Sequence, residues 1–417
     1  MQPLTQVYRV GGWVRDHFLG LTPPDSDWLV IGETPASMRR RGFRQVGADF
    51  PVFLHPESGD AYALARQERK TAPGYRGFHC FFAPEVTVEE DLARRDLTIN
   101  AMALDNEGRL IDPFGGYRDL QARLLRHVSP AFVEDPLRVL RVARFLARFA
   151  DLGFRVADET LQLMKTLVSS GELQALSPER VWRETLKGLA TAAPVTYFDL
   201  LAQCGALSVW FTELAALQGV SQPPQHHPEG DAWQHSRLTL QAASALTDDP
   251  EVRFAALLHD LGKGLTPREQ WPRHIGHEHR GLQAMQSLAD RLRLPNRVCQ
   301  LALAVIAEHG RVSCLAEMRA KSVVNLLERL QAFSHNEWFE QVLTACQADV
   351  LGRGGRAVEP VAHIACWRRC RQAAASVDVN ALRASGLEGR LLGEAIHRQR
   401  IDRVRQLLAE TRRAGAC

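Results

Sequence analysis

Two aspartates one residue apart, Asp25 and Asp27, follow Pro23-Pro24 at the start of a predicted strand. Side chains at i and i+2 of a strand share a face. Carboxylates held side by side repel unless a cation sits between them. An all-oxygen pair suits Mg2+, which takes one or two carboxylates and completes its shell with substrate phosphates and water. Upstream, Gly11-Gly12 ends another strand, and Arg15 follows within a turn. Backbone N–H groups at a glycine turn cradle phosphate, and a guanidinium adds a planar, permanently charged fork. Downstream, Arg94-Arg95-Asp96 and Asn100 supply two cations for a triphosphate and two polar groups for a ribose. Each fragment alone reads as an ordinary polar turn. A metal pair beside a phosphate cradle describes phosphoryl or nucleotidyl transfer.

A second constellation is Asp135, Arg138, Arg141, Arg144 and Arg148. The spacing predicts a helix over 135–150 with these five on one side and Leu137, Val139, Leu140, Val142 and Phe145 available to pack. A salt-bridged surface stripe is the plain reading, but acidic partners are few on the helix itself. The sharper reading is base selection. Cytosine and adenine each present an amino donor beside a ring acceptor, which Asp135 and Arg138 match one turn apart. Uracil and guanine reverse that pattern and would leave buried groups unpaired, at roughly 1–3 kcal/mol each.

A third constellation is His235, His259-Asp260, His274, His277, His279 and His309, which fall within 75 residues. An imidazole-rich set with a carboxylate suits a transition metal better than Mg2+. The Gly262-Lys263 text that follows lacks P-loop spacing.

These residues need elements to hold them. Short strands at 8–12, 27–32, 52–54 and 62–66, mixed with helices, make up the first 126 residues. From Pro130 helical patterns dominate, over 135–150, 158–169, 178–190 and 195–204, with Ser177-Pro178 as a helix start. The stretch 218–231 is rich in Pro, His and Gly and reads as a linker. The expected fold is α+β, a small mixed α/β head at 1–126, an all-helical neck and body at 127–225, a helical His-rich domain at 226–330 and a helical C-terminal region at 331–417. The chain has 417 residues, 45% hydrophobic and 24% charged, with a net charge of +3. That excludes a disordered or fibrous chain. No apolar run reaches the ~18 residues that span a bilayer. Residues 1–9 lack the pattern of a secretion signal. The eight cysteines include no CxxC. Reduced thiols and a cytoplasmic location are the expectation.

Taken in order, Gly11-Gly12-x-x-Arg15, Asp25-x-Asp27, Arg94-Arg95-Asp96 with Asn100, and Glu134-Asp135-x-x-Arg138 resemble the motif series of the class II nucleotidyltransferases, the family of CCA-adding enzymes and bacterial poly(A) polymerases. The likeness covers roughly the first 215 residues and is greatest to bacterial CCA-adding enzymes with an HD domain. It implies addition of C, C and A to tRNA from CTP and ATP without a nucleic-acid template. Asp25 and Asp27 would hold Mg2+. Gly12, Arg15, Arg95, Asp96, Asn100, Asp135, Arg138, Arg141 and Arg144 would bind nucleotide. Arg180, Trp182 and Glu184 would support the nucleotide-binding helices. Where some nucleotidyltransferases carry a third carboxylate, Ala61 stands, with Asp60 beside it.

The His-rich stretch resembles the HD metal-dependent phosphohydrolases, with His235, His259 and Asp260 as matching ligands. The later Asp of that family aligns with Gly310, so the site either lacks a ligand or uses His309. The resemblance implies 2′,3′-cyclic phosphodiesterase, 2′-nucleotidase and phosphatase activities with a transition metal such as Ni2+. The implied partners are tRNA, CTP and ATP, with a homodimer allowed and no membrane. The competing readings are a poly(A) polymerase, a phosphohydrolase with a vestigial nucleotide-binding head, and a noncatalytic RNA-binding protein.

Overall fold

The structure, a computed structural model, describes residues 4, 6–23, 27–46, 52–70, 78–81, 83–354 and 362–413, with backbone only for 67–70 and 78–81. It divides into two compact units, Met1–Val209 and Trp210–Cys417.

Unit 1 is built on strands β1 (Val7–Val10), β2 (Asp27–Val30), β3 (Arg44–Val46), β4 (Val52–Leu54), β5 (Ala61–Leu64), β6 (Gln67–Lys70), β7 (Phe78–Phe81), β8 (Ala103–Leu104) and β9 (Leu110–Ile111). Seven form one sheet in the order β3-β4-β5-β2-β1-β8-β9, and β6 pairs with β7 apart from it. Within the large sheet only β2 and β5 run parallel. Alternation along β2 sends Leu29 into one apolar cluster, with Val10, Leu92 and Ala103, and Val30 into another, with Met38, Phe43 and Phe53. The sheet therefore packs on both faces, and its strand ends are left to carry polar groups.

Four short helices serve the head: α1 (Gly12–Phe18), α2 (Pro35–Arg40), α3 (Val88–Ala93) and α4 (Gly116–Gln121). Gly11 precedes α1 with φ +64°, and a Cβ there would sit 2.5 Å from Arg95 Nη1. Only glycine takes that backbone without strain and admits the guanidinium. Thr87 caps α3 reciprocally with Glu90, which fixes the helix that delivers Arg94 to Asp96. The body follows as α5 (Leu137–Arg148), α6 (Asp158–Ser169), α7 (Pro178–Leu189) and α8 (Pro194–Cys204).

Here one expectation changes. The helix begins at Leu137, and Asp135 stands before it with extended backbone, its Oδ1 accepting from Leu137 N at 3.1 Å. A residue that precedes proline is driven out of the helical region, and Pro136 does this to Asp135.

Two four-residue helices follow, α9 (Leu207–Trp210), across which the division between the units falls, and α10 (Thr212–Ala215) in unit 2. Then come α11 (Ala232–Leu246), α12 (Pro250–Leu258), α13 (His277–Leu292), α14 (Asn296–Ser313), α15 (Ala320–Arg329), α16 (Asn336–Gly352), α17 (Ala362–Ala375), α18 (Val379–Ala384) and α19 (Gly389–Arg413). Helices α11 and α16 touch closely: a Cβ on Gly352 would lie 2.8 Å from Thr239 N. The stretch 218–231 has no regular element, as its composition predicts, but it is tied down rather than slack. Asp231 caps α11 through Gln234 N at 2.8 Å and also accepts from Gly219 N at 2.7 Å. Against the expectation of reduced thiols throughout, Cys366 is disulfide-bonded. Cys204, Cys299, Cys314, Cys346 and Cys370 are free. No described helix is long and apolar enough to cross a membrane.

Candidate active site and metal cluster

In unit 1 one open cavity of about 780 Å³ is lined by Gly12, Arg15, Asp27, Arg95, Asp96, Asn100, Asp135, Arg138, Arg141 and Arg144. Every described residue singled out for the nucleotide lies on it. Asp25 falls outside the described residues. The lining holds ten cationic and four acidic side chains, so its field favours a polyanion. The β2–β5 register sets Ala61 opposite Asp27, so a small apolar residue occupies the place considered for a third carboxylate. Gly12 keeps the mouth open: its missing Cβ would lie 3.4 Å from Arg15 Nη2 and 3.9 Å from Asp27 Oδ2.

The cations are held by acidic and amide partners, and those of α5, which has few acids of its own, take theirs from other elements. Arg15 donates to Asp16 at 2.8 Å and to Asn100 Oδ1 at 2.5 Å. Asn100 donates to Asp96 at 2.9 Å, and Asp96 accepts from Arg141 Nε at 2.7 Å. Arg148 reaches Asp16 at 2.8 Å, and Arg144 reaches Glu184 at 2.6 Å. Arg94 and Arg95 both pair with buried Asp91. Burial works against ionised Asp96, but Arg141 and the Asn100 amide outweigh it and hold the carboxyl well below the usual range. Phe145 is ringed by the guanidinium groups of Arg144, Arg15 and Arg141 at 4.2, 5.2 and 5.6 Å from its centroid. Such contacts fix side chains as well as attract them.

Asp135 accepts from Arg180 Nη2 at 3.1 Å. Arg138 is buried, and its Nη1 and Nη2 donate to the carbonyls of Ala131 at 2.7 Å and Arg94 at 2.5 Å. Arg180 and Glu184, one turn apart on α7, thus steady Asp135 and Arg144. Arg66, Lys187, Trp13 and Trp28 also line the cavity and were not singled out from sequence. No motif marks them.

In unit 2 six side chains meet. His235 Nε2 lies 3.2 Å from His259 Nε2 and 3.0 Å from Asp349 Oδ1. His259 Nε2 is 3.1 Å from Asp260 Oδ2 and 3.5 Å from Asp349. On the other side of Asp260, Oδ1 lies 3.2 Å from His277 Nε2 and 3.6 Å from His309 Nε2. The acid expected at Gly310 is therefore Asp349, brought in by α16. His274 turns away to Ser221 O at 2.9 Å, and among the described residues His279 joins no such cluster.

The Nδ1 atoms of His259, His277 and His309 face backbone carbonyls at 2.8, 2.9 and 3.1 Å. A carbonyl only accepts, so each Nδ1 carries a proton, and it is the Nε2 of each ring that is turned inward, a bare lone pair wherever the ring is neutral. Burial pushes His309 down to about 4, so it is neutral at pH 7. Asp260 Oδ1 accepts no hydrogen bond among the described residues. Lone pairs facing lone pairs in a dry site call for a cation, and this donor set fits a transition metal. Lys263 Nζ donates to Asp260 Oδ2 at 2.5 Å and to Gln222 at 2.6 Å.

Three stretches of the chain match known families. Residues 7–126 match the Poly A polymerase head domain, 153–217 match the "Probable RNA and SrmB-binding site of polymerase A", and 232–332 match the HD domain. These define the class: a nucleotidyltransferase head of the poly(A) polymerase type, its RNA-binding region, and an HD domain. The multifunctional CCA protein of Methylococcus capsulatus is 54% identical over 97% of this chain and 95% of its own length. That of Thioalkalivibrio sulfidiphilus is 52% identical over 97% and 99%. The chain belongs to the multifunctional CCA protein family. Solved CCA-adding enzymes share the fold: an apo form with TM-score 0.66 at 22% identity, covering 98% of this chain and 92% of that one, and the Thermotoga maritima enzyme complexed with tRNA with TM-score 0.64 at 22% identity, covering 98% and 91%.

Proposed function

We propose that this chain adds CCA to the 3′ end of tRNA from CTP and ATP, without a nucleic-acid template, and that its HD domain is a metal-dependent phosphohydrolase. The observation that carries the first part is the cation-lined cavity, which gathers Asp27, Asp135 and the arginine set into one space. Its close relatives carry the name multifunctional CCA protein, and solved relatives of the same fold are complexes with ATP, CTP and tRNA.

Asp27, with Asp25, would hold Mg2+ by an all-oxygen donor set. When bound, the ion activates the RNA 3′-hydroxyl and offsets the charge of the triphosphate. The hydroxyl attacks the α-phosphorus and pyrophosphate leaves. Arg15 and Arg95 take the phosphates at the Gly11-Gly12 turn, and Asp96 and Asn100 face the ribose. Arg141 and Arg144, already aimed by Asp96 and Glu184, take base and triphosphate without a large ordering cost. The Asp135 carboxylate has lone pairs beyond those used by Arg180 and Leu137 N, and accepts the amino group of cytosine or adenine. Arg138, held on the carbonyls of Ala131 and Arg94, would donate to the ring nitrogen.

In the HD domain His235, His259, Asp260 and Asp349 would hold one ion, and Asp260 Oδ1, His277 and His309 a second. A transition metal there, Ni2+ among the candidates, supplies Lewis acidity toward a phosphoester, cyclic 2′,3′-phosphates and 2′-phosphates included. Asp260 would serve both halves, and Lys263, which donates to it, offsets its charge.

Primer extension tests the transferase. The substrate is tRNA ending at its discriminator base, with the four labelled nucleoside triphosphates offered singly and then CTP with ATP, in Mg2+. CTP alone should add two residues, and the pair should stop at three. A long ladder from ATP alone would make the chain a poly(A) polymerase. Asp27→Ala should abolish incorporation and leave hydrolysis of a 2′,3′-cyclic nucleotide intact, and His259→Ala should do the reverse. Joint loss in either variant would contradict two separate sites.

A further inference from the structure

Glu229 lies in the segment between Val220 and α11, in a stretch whose composition alone marks it as a connection. Its side chain is 3% exposed. Oε1 sits 2.7 Å from His235 Nδ1 and 2.9 Å from His227 Nδ1. Oε2 accepts from Gly354 N at 3.2 Å. One carboxylate thereby joins three pieces of chain: the loop, the helix α11 that presents His235, and the residue just past α16, the helix that presents Asp349. The approach is close, since a Cβ on Gly354 would lie 3.2 Å from Glu229 Cβ.

The other imidazoles of the cluster rest their Nδ1 on backbone carbonyls of their own helices or turns. His235 instead packs its Nδ1 against the Glu229 carboxylate at 2.7 Å, a close polar contact whose alignment falls short of a hydrogen bond. A carboxylate behind a histidine fixes the ring orientation and the tautomer, and raises the basicity of the inward nitrogen.

We infer that Glu229 is the positioning residue of the HD metal site, holding His235 with its proton on Nδ1 and its Nε2 lone pair toward the ion; this rests on the metal-dependent reading given above. His227 shares the same oxygen and keeps the carboxylate turned toward the ring. Glutamine cannot replace glutamate here. Its amide has one accepting oxygen, while Gly354 N–H and the histidines require acceptors on both sides. With the amide nitrogen turned to His235, the ring would move its proton to Nε2 and lose the lone pair that binds metal.

The test uses the full-length chain, stripped of metal and titrated with Ni2+ and, separately, Co2+. Glu229→Gln should bind Ni2+ about 10–100-fold more weakly than the parent. The Co2+ absorption spectrum should change, while primer extension in Mg2+ stays at the parental value. Gly354→Ala, which presses on the Glu229 β-carbon, should weaken Ni2+ binding in the same direction by a smaller factor and serves if Glu229→Gln does not fold. Parental Ni2+ affinity and an unchanged Co2+ spectrum in the variants would overturn the role of Glu229. A parent chain that binds neither ion would overturn the metal-dependent reading itself, and this inference with it.

Discussion

Asp96 shows how a single side chain organises the nucleotide cavity. It is 6% exposed, ties Asn100 to Arg141, and through Asn100 reaches Arg15. Asp96→Asn removes the charge from hydrogen bonds of the charged kind, each worth roughly 1.5–3 kcal/mol. A stability loss of that order is expected, together with weaker triphosphate binding. The pH dependence has a definite sign. The folded carboxyl titrates well below its unfolded value, so its contribution is full above about pH 4 and is lost as pH falls further. Urea unfolding of parent and variant between pH 7 and pH 3 should therefore converge toward the acid end. A gap that widens on acidification would refute the assignment. Asp135 invites a second substitution. Asp135→Asn can turn a donor toward the amino group of cytosine or adenine, and competition between CTP and UTP should shift toward UTP by about tenfold or more, at ~1.4 kcal/mol per factor of ten. Arg138→Ala reads less cleanly, since it also strands the carbonyls of Ala131 and Arg94. The three-residue spacing from Arg138 to Arg144 made these groups legible in the sequence. The resemblance also named Arg180 and Glu184 as support and Asp96 as a site residue; what hid was the pairing, since Glu184, Arg180 and Asp96 meet these groups from other elements and no local spacing says which meets which.

At the scale of elements, two helix relations carry the chemistry. In unit 1, α7 lies along α5 and offers Arg180 and Glu184 one turn apart to Asp135 and Arg144. The boundary of α5 was legible too, in the Asp135-Pro136 dipeptide, though the hydrophobic period alone extends the helix across it. In unit 2, Gly352 lets α16 press against Thr239 of α11. Gly352→Ala would put a methyl 2.6–2.9 Å from Thr239 atoms, backbone included. Overpacking of this kind costs about 1–3 kcal/mol. Because these helices present His235 and Asp349, the variant should also bind Ni2+ more weakly. Calorimetric titration and chemical unfolding on the same sample check both effects, and a loss of stability with parental metal affinity would uncouple the helix contact from the site.

For the molecule as a whole, the two sites use opposite ligand chemistry. The head offers carboxylate oxygen among guanidinium groups; the HD domain offers imidazole. Phenanthroline in excess Mg2+ should extinguish phosphoester hydrolysis and leave nucleotide addition running, because imidazole-rich sites depend on the metals this chelator removes. Inhibition of both reactions would argue for a shared metal. The order of head, helical body and HD domain was readable from the change of texture near Pro130 and the histidine run after Ala232. Asp349 was not, because it lies far along the chain from Asp260 within an amphipathic helix that carries no motif.

That distance matters while the protein is being made. A ribosome moving at about 5–20 residues per second needs roughly 4–18 seconds to go from Asp260 to Asp349. In that interval the nascent chain owns His235, His259 and Asp260 but not the last acid. On the metal-dependent reading, loading with metal would thus be a late event of biosynthesis, open only once α16 has left the exit tunnel and docked on α11.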